Sequence, residues 1–411
     1  MHAAQSTHQN IVLERLGFGG HAQIRWSRRV LAAARFFGFF RARDTRGVHV
    51  RNETLPRHHA SSVVRVRVYT PTTTTEHDRP KQSHHEQTAF PNSNTDDEQL
   101  LTNRASIIFI HGGGFCVLGA EDYDKPIVRL VQHTRMPVIS IDYRLAPEHP
   151  YPAALTDCWH VLQCHLRTQH SFFSYDATKT IVMGDSAGGN LAAAIVNRLS
   201  RVENQELPRI AAQLLIYPYL QMVDFCTPSY QHYYESLNGS GALSPHRAVL
   251  MAMSYTGLNP TADELKSVSR NRHVCPKLRS ENEIFRQRLD YSLLPDSFKD
   301  FRQCCDRSRS YNDDQVHKSL AEKLAPFLTD PDFSPMFCER LEQTPRTMIV
   351  TCGYDILRDD GYFYHQRLRQ SGVPTTYKNY PTALHGVLSM PVSMTEKLIY
   401  ELSEFCAGAV A

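Results

Sequence analysis

From residue 107 onward, short apolar segments alternate with segments of helical character, and this alternation constrains the fold more than any other feature. Strands separated by helices are typical of a mostly parallel sheet with helices on both faces, so we predict an α/β protein. An earlier segment, Ser62–Tyr69, alternates apolar and charged residues as a half-buried strand does. The further predicted strands are Ile107–Ile110, Pro137–Tyr143, Thr180–Gly184, Ile210–Tyr217, Thr347–Cys352 and Thr375–Tyr380.

Two stretches interrupt this pattern. Residues 71–103 are dominated by Thr, His, Ser, Asn, Gln and acids, which indicates a mobile polar surface loop. Residues 223–343 predict an insertion over the strand ends, where lids and specificity elements sit. We therefore expect a main α/β domain at 61–411, preceded by an N-terminal segment at 1–60 that helps to build a cap. The insertion's apolar residues could form either the substrate pocket wall or the core of the cap; they are Phe225, Tyr230, Tyr233, Tyr234 and Leu237.

The N-terminal segment is basic, with nine arginines against two acids between Ile11 and Arg51. Its strongest apolar run, Val30–Phe40, contains Arg35 and is too short to span a bilayer, which needs about 20 residues. It also lacks the features of a cleavable signal peptide. The run predicts either a cap helix packed on the catalytic domain or a basic amphipathic helix on a membrane surface. The net charge of the whole chain is only +3, which argues against nucleic acid as a partner.

The segment Gly184–Gly188 fits G-x-S-x-G and lies between a predicted strand and an Ala-rich helical run. A sharp strand-to-helix turn strains the backbone at the nucleophile and tolerates only small residues beside it. The following helix points its N-terminal amides toward the serine oxygen, which favours developing negative charge. The motif therefore predicts Ser186 as a nucleophile.

The segment His111–Gly114 follows a predicted strand directly, at the position where enzymes with this turn place a second set of oxyanion donors. Glycines allow the backbone to approach a bound carbonyl closely. We assign the amides of Gly113, Gly114 and Ala187 as donors to the oxyanion, and we expect His111 to hold the loop rather than to act as a base.

The acid and the base should follow the nucleophile in the order Ser, acid, His. His365 falls within a predicted helix, whereas His385 lies in the loop after the last strand. Asp355 lies just past a strand end, while Asp359 and Asp360 look like residues of a first helical turn. Asp355 and His385 are therefore the predicted acid and base. The resulting acyl-enzyme mechanism needs no metal or cofactor, and the ten cysteines include no CxxC pair of the kind found at zinc sites.

Together these motifs resemble the hormone-sensitive-lipase group of α/β-hydrolases, and within it the arylacetamide deacetylase and neutral cholesterol ester hydrolase family. The resemblance covers about residues 105–390 and implies the α/β-hydrolase fold with a cap. It implies hydrolysis of lipophilic carboxylic esters, and in some members of arylamides. The matching segments are His111–Cys116, Asp142–His149, Gly184–Asn190, Tyr354–Gly361 and His385–Gly386.

The same resemblance implies a catalytic domain in the lumen of the endoplasmic reticulum. In that setting Cys116 and Cys352 match family cysteines that form a disulfide, and the sequons at Asn52 and Asn238 are candidate glycosylation sites. Family members usually begin with a membrane-spanning helix, and this sequence has none. Either that first segment is missing from this sequence, or the protein is soluble or held peripherally by the basic stretch around Val30–Phe40. A cytoplasmic location is the alternative to the lumen.

Two other functions use the same fold. A serine peptidase shares the triad chemistry, but the second oxyanion element at His111–Gly114 favours an esterase. A non-catalytic protein that binds a small ligand typically lacks a triad residue, and all three are present here. The sequence carries no signal for an oligomeric state.

Overall fold

One mixed sheet of eight strands organises the part of the chain that the structure, a computed structural model, describes. The described residues are 20–36, 38–42, 44–57, 62–72, 105–168, 172–201, 207–233, 237, 243–275, 278, 287–299 and 316–411. Nearly all of the predicted polar loop at 71–103 lies outside them. The strands are β1 (Val48–Pro56), β2 (Val63–Pro71), β3 (Ser106–Ile110), β4 (Val138–Asp142), β5 (Thr180–Asp185), β6 (Ala212–Ile216), β7 (Arg346–Tyr354) and β8 (Thr375–Leu384).

The strand order is β1-β2-β4-β3-β5-β6-β7-β8, and β3 to β8 are parallel to one another. β2 runs antiparallel to both β1 and β4. This arrangement confirms the predicted mostly parallel sheet. The central strands β3, β5 and β6 are buried along their whole length, as expected for strands covered on both faces. The predicted domain boundary at residue 60 falls between β1 and β2, which are paired neighbours in the sheet.

Helices cover both faces of the sheet. The helices are α1 (Gly20–Phe36), α2 (Asp124–Thr134), α3 (Ala153–Leu166), α4 (Ala187–Leu199), α5 (Pro228–Tyr233), α6 (Pro245–Tyr255), α7 (Ala262–Val268), α8 (Asp296–Lys299), α9 (Lys318–Leu328), α10 (Arg358–Gln370) and α11 (Ser393–Val410). Apolar residues of α2 and α11 form one core cluster with the sheet, and those of α3, α4 and α10 contribute to the other. The sheet therefore separates two hydrophobic cores.

Helix α1 packs on the cap helix α6 and on the loops beside the sheet. Ile24 is buried, and the His21 ring lies 3.0 Å from the carbonyl oxygen of Leu258. Arg28 donates to the carbonyl of Cys116 at 2.7 Å and pairs with Glu148 at 2.6 Å. These contacts come from the part of α1 that precedes the run Val30–Phe40, of which Val30, Ala32 and Ala33 are exposed. No helix within the described ranges has the length and apolarity that a membrane span requires.

Candidate active site

Ser186 lies at the sharp turn between β5 and α4, with backbone angles of φ 53° and ψ −120°. A non-glycine residue in such a conformation costs of order 1–3 kcal/mol and persists only where its surroundings impose it. Here Gly184 and Gly188 of the motif allow the neighbouring backbone to pack closely enough to impose this conformation on Ser186. A Cβ atom on Gly184 would lie 2.2 Å from the carbonyl oxygen of Gly188, and one on Gly188 would lie 2.0 Å from that of Ile110.

Three residues predicted from the sequence lie in one hydrogen-bonded chain. His385 Nε2 is 2.8 Å from Ser186 Oγ, and His385 Nδ1 is 2.8 Å from Asp355 Oδ2. Asp355 follows β7 and is fully buried, and its other oxygen accepts the amide of Leu357 at 2.9 Å. A carboxylate only accepts hydrogen bonds, so Nδ1 carries the imidazole proton and Nε2 is left to accept the Ser186 hydroxyl.

The glycine loop after β3 faces this chain. Gly113 and Gly114 have φ values of 106° and 59°, a region that favours glycine. Gly114, Ser186 and Ala187 line the same small cavity. Within the described part of the chain, no hydrogen-bond acceptor is found for the amides of Gly113, Gly114 or Ala187. These amides are therefore available to a bound oxyanion.

Two histidines that compete with His385 in the sequence lie elsewhere. His365 is on α10, where its ring stacks on Tyr377 at 5.1 Å and burial lowers its pKa to about 4. His111 is fully buried and stacks on Tyr143 at 4.2 Å, and its Nδ1 lies 2.8 Å from the carbonyl oxygen of Gly112. Burial lowers the pKa of His111 as well. It therefore lies in the loop as a neutral packing residue.

The cavity beside Ser186 has a volume of about 30 Å³ and mostly apolar walls. Its walls come mainly from the cap helix α6 and from residues next to the nucleophile: Gly114, Phe115, Ala187, Tyr219, Leu243, Ala248, Met251, Ala252 and Leu357. Ser186 itself is part of its lining.

The described aromatic residues of the insertion do not line this cavity, and their packing is that of the cap-core alternative. Phe225 and Tyr230 are buried against each other, with ring centroids 5.5 Å apart. The Tyr233 hydroxyl donates to the carbonyl of Gly353 at 2.7 Å. Leu237 packs partly buried against the core, and Tyr234 lies outside the described residues. Helix α6 forms much of the wall, because it lies across the nucleophile. The aromatic segment before it, which includes Phe225, Tyr230 and Tyr233, packs instead on the turn that carries Asp355.

A larger cavity of about 900 Å³ lies between α1 and the β1–β2 edge of the sheet; of the predicted site residues it contains Asn52 and none of the catalytic or oxyanion residues. Six arginines line it, and each of them pairs with a carboxylate. Because these charges are already paired, the cavity is not an obvious anion site. The arginines are Arg28, Arg35, Arg57, Arg65, Arg67 and Arg144.

The structure contradicts the disulfide expected between Cys116 and Cys352, because both are free thiols. Cys116 belongs to one of the two hydrophobic cores and Cys352 to the other. The Cys116 thiol points to the carbonyl of Met251 at 3.8 Å. Cys116 lies in the loop after β3, whereas Cys352 lies within β7, and β5 and β6 stand between these two strands in the sheet.

The two candidate glycosylation sites differ in what can be said of them. Asn52 is exposed on the edge strand β1, where its side-chain oxygen accepts a hydrogen bond from Arg67 at 2.7 Å. Asn238 lies outside the described residues. Within those residues, no group of three or more histidine, cysteine or acidic side chains could hold a metal ion.

Two polar residues beside the nucleophile were not singled out by their sequence pattern. Asp185 is buried next to Ser186, and burial raises the pKa of its carboxyl group to about 6. Tyr123, in a 3-10 turn before α2, donates its hydroxyl to Asp185 at 2.9 Å. The identity of Asp185 as the second residue of the G-x-S-x-G motif was the available signal, whereas nothing local marked Tyr123.

Comparisons with known proteins agree with this geometry. A family model described as the alpha/beta hydrolase fold matches residues 107–279 and 300–389. Neutral cholesterol ester hydrolase 1 of Bos taurus is 32% identical over 294 residues, which cover 69% of this chain and 68% of that protein. Arylacetamide deacetylase of Oryctolagus cuniculus is 32% identical over 293 residues, covering 70% and 69%.

Solved structures extend the likeness of fold. An ester hydrolase from the metagenome of Lake Arreo superposes with a TM-score of 0.62 at 23% identity, covering 99% of this chain and 97% of that one. A bacterial heroin esterase gives a TM-score of 0.62 at 20% identity, with 95% and 93% covered. The matched segments include the nucleophile turn, the glycine loop and the strand ends that carry Asp355 and His385. The chain therefore belongs to the α/β-hydrolase family, in the group of ester hydrolases that includes neutral cholesterol ester hydrolase and arylacetamide deacetylase.

Proposed function

We propose that the chain is a serine carboxylesterase that hydrolyses lipophilic esters through Ser186, His385 and Asp355. The observation that carries the proposal is the continuous chain of two 2.8 Å hydrogen bonds from Ser186 Oγ through the imidazole to the buried Asp355 carboxylate. Such a chain activates a hydroxyl that is a weak nucleophile by itself.

In the first step, Ser186 Oγ attacks the ester carbonyl carbon while His385 Nε2 takes the hydroxyl proton. Asp355 stabilises the imidazolium that forms and holds the ring in the required tautomer. The carbonyl oxygen becomes an oxyanion, and the amides of Gly113, Gly114 and Ala187 donate hydrogen bonds to it. Removing one such donor costs about 10²–10³ in kcat in a well-studied serine hydrolase, which shows the weight of this contribution.

In the second step, the bond from the carbonyl carbon to the leaving oxygen breaks, and His385 gives its proton to the departing alcohol. The acyl group now esterifies Ser186. Water then attacks the acyl-enzyme with His385 as the base, and collapse of the second intermediate returns the proton to Ser186 and releases the acid.

Apolar substrates are supported by the walls of the cavity next to Ser186, where α6 places Ala248, Met251 and Ala252. Methionine adapts its shape to different apolar partners, so Met251 suits a wall that accommodates an acyl chain. The names of the relatives point the same way, since one acts on cholesterol esters and another on arylacetamides. Arylamides are accordingly a second substrate class to test.

The deciding experiment is labelling with a fluorophosphonate probe together with hydrolysis of p-nitrophenyl esters. We expect labelling at Ser186 and turnover, and neither with Ser186→Ala. A folded wild-type protein that is not labelled would favour a non-catalytic binding protein. Labelling combined with cleavage of peptides and not of esters would favour a peptidase.

We further propose a lumenal location in the endoplasmic reticulum, supported by the family resemblance and by the exposure of Asn52 on β1. Treatment of the cell-expressed protein with an endoglycosidase should shift its mobility, and Asn52→Gln should remove that part of the shift which comes from this site. An unshifted protein would support a cytoplasmic location instead.

Contact with an anionic membrane surface is also proposed, through the outward face of α1. Arg25, Arg29 and Val30 are exposed there, and Trp26 is half-buried beside them. This combination of basic and apolar residues suits an interfacial helix. The protein should co-sediment with vesicles of phosphatidylserine and phosphatidylcholine, and Arg25→Glu with Arg29→Glu should weaken this binding more than Lys397→Glu on α11. Equal binding by all three proteins would exclude α1 as the contact.

A further inference from the structure

We infer that Asp185 and Tyr123 form a positioning pair that holds the oxyanion loop in register with the nucleophile. This inference rests on the proposed esterase function, because it concerns the geometry of the amides assigned to the oxyanion. Neither residue is expected to touch the substrate. Their effect would pass through the Gly112 amide to the loop that follows it.

The contacts that define the pair are short and buried. The Gly112 amide donates to Asp185 Oδ1 at 2.8 Å and also approaches the Tyr123 hydroxyl oxygen at 3.1 Å. The Tyr123 hydroxyl donates to Asp185 Oδ2 at 2.9 Å. Both side chains are 3% exposed. The three groups therefore form a closed triangle of hydrogen bonds that excludes water.

The triangle can affect the active site because two of its members are adjacent in the chain to the nucleophile and to an assigned oxyanion donor. Asp185 directly precedes Ser186, and Gly112 directly precedes Gly113, whose amide is one of the assigned donors. The triangle thus connects the residue just before the nucleophile with the residue just before the first assigned oxyanion donor. A misplacement of about 1 Å in a reacting group can cost on the order of 10²-fold in rate, so a link this close would affect turnover.

The glycine at position 112 is required by this contact. A Cβ atom there would lie 2.7 Å from Asp185 Oδ2 and 3.0 Å from the Tyr123 hydroxyl. Any side chain would push the loop away from the carboxylate. On its far side the same loop is held by Tyr143, whose hydroxyl donates to the carbonyl of His111 at 2.8 Å.

Burying an ionised carboxylate beside the loop costs folding free energy. Burial raises the pKa of Asp185 to about 6, although the hydrogen bonds from Tyr123 and Gly112 and the nearby His385 oppose this rise. The other titratable groups that face it are the phenols of Tyr143 and Tyr217. Because the folded-state pKa lies above the ordinary value of 3.8, the associated stability is present at low pH and is lost as the pH rises through about 6.

Asp185→Asn therefore distinguishes two roles of Asp185. If the residue positions the loop, the variant loses turnover although its stability at pH 8 rises. If the residue only stabilises the fold, turnover and stability fall together. The amide cannot ionise, so we expect this variant to unfold at a higher temperature than the wild type at pH 8, with the difference shrinking toward pH 5. Its kcat should nevertheless fall at least tenfold with little change in KM, because Gly112 and Tyr123 donate to different oxygens of Asp185, and in asparagine one of those oxygens is replaced by an NH2 group that donates. Tyr123→Phe should also lower kcat.

The matched control is Tyr69→Phe, which removes a hydrogen bond between a buried tyrosine and Asp124 at 2.8 Å, far from the nucleophile. It should change the unfolding temperature and leave kcat near the wild-type value. Wild-type kcat in both Asp185→Asn and Tyr123→Phe would overturn the inference. A loss of kcat in Asp185→Asn that is matched by lower stability at pH 8 would also overturn it, in favour of a structural role.

Failure of the esterase proposal gives a different result from failure of this inference. If the wild type is neither labelled by fluorophosphonate nor active on esters, the proposed function is wrong. If the wild type is active and both positioning variants match it, the proposed function stands and only the positioning pair is wrong.

Discussion

His385 Nε2 lies 2.8 Å from Ser186 Oγ, although the two residues are 199 positions apart in the chain. Ser186 follows β5 and His385 follows β8, and the parallel strands between them bring their carboxyl ends to one edge of the sheet. The hydrogen bond therefore depends on the register of four strands and on the turns that leave them.

The first prediction concerns this chain of hydrogen bonds. Ser186→Ala and His385→Ala should each remove most ester turnover, and Asp355→Asn should lower kcat by about 10⁴, because the imidazole would adopt the wrong tautomer. Steady-state hydrolysis of a p-nitrophenyl ester by folded variants provides the measurement. His365→Ala is the control, since that ring packs on Tyr377, and it should keep wild-type kcat. Substantial activity in any of the first three variants would refute the assignment.

The second prediction concerns the glycine loop. In Gly113→Ala the new Cβ atom would lie 2.0 Å from the carbonyl oxygen of Val117, a backbone atom that cannot move aside. The loop must shift, so kcat should fall by about 10² or more, the scale of one lost oxyanion donor. Gly372→Ala is the matched control, because its φ is also positive, at +75°, but its Cβ atom would meet nothing within 4 Å. If both variants lose the same activity, general backbone strain and not loop geometry explains the loss.

The third prediction concerns acyl length. Met251→Ala should enlarge the cavity next to Ser186 and raise kcat/KM for longer acyl chains relative to acetyl esters. Ala252→Phe should fill it and shift the preference toward acetyl esters. The comparison is a series of p-nitrophenyl esters from acetate to decanoate. Val249→Ala, a buried truncation on the same helix that does not line the cavity, should leave the profile unchanged. Unaltered profiles in the two wall variants would mean that acyl groups bind elsewhere.

The fourth prediction concerns the two cysteines beside the site. Burial raises the pKa of the Cys116 and Cys352 thiols, so both should resist thiol reagents in the native protein. After denaturation without reductant, both should react with an alkylating reagent and be found modified by mass spectrometry. Detection of a peptide that links the two would show that they pair in the cell. Treatment of the native enzyme with dithiothreitol should leave its activity unchanged.

Much of the fold could be predicted because its signals are local. The motif around Ser186 requires a strand before it and a helix after it, and the structure has β5 and α4 there. Rejection of His365 rested on its helical context, and α10 carries it away from the nucleophile. The strands predicted from residue 62 onward correspond to β2–β8, and their apolar runs match strands that are covered on one or both faces.

One expectation that failed, and one choice that stayed open, depended on distances between segments. The disulfide between Cys116 and Cys352 requires the two cysteines to lie within a narrow range of distances, and the structure leaves both as free thiols. Phe225 and Tyr230 are apolar enough for a pocket wall, but composition cannot tell a wall from a cap core. In the structure α6 lies over Ser186 and lines the cavity, while Phe225 and Tyr230 pack against each other.

By itself the sequence determined the parallel sheet, the strained nucleophile turn and the candidates for acid and base, because periodicity, glycine placement and chain order act over short ranges. Only the tertiary structure decided that Tyr123 meets Asp185 and that α6 lines the cavity. Tyr123 and Asp185 lie 62 residues apart, and α6 is also distant from Ser186 in the chain. Such contacts depend on strand register and helix packing, which no local pattern encodes.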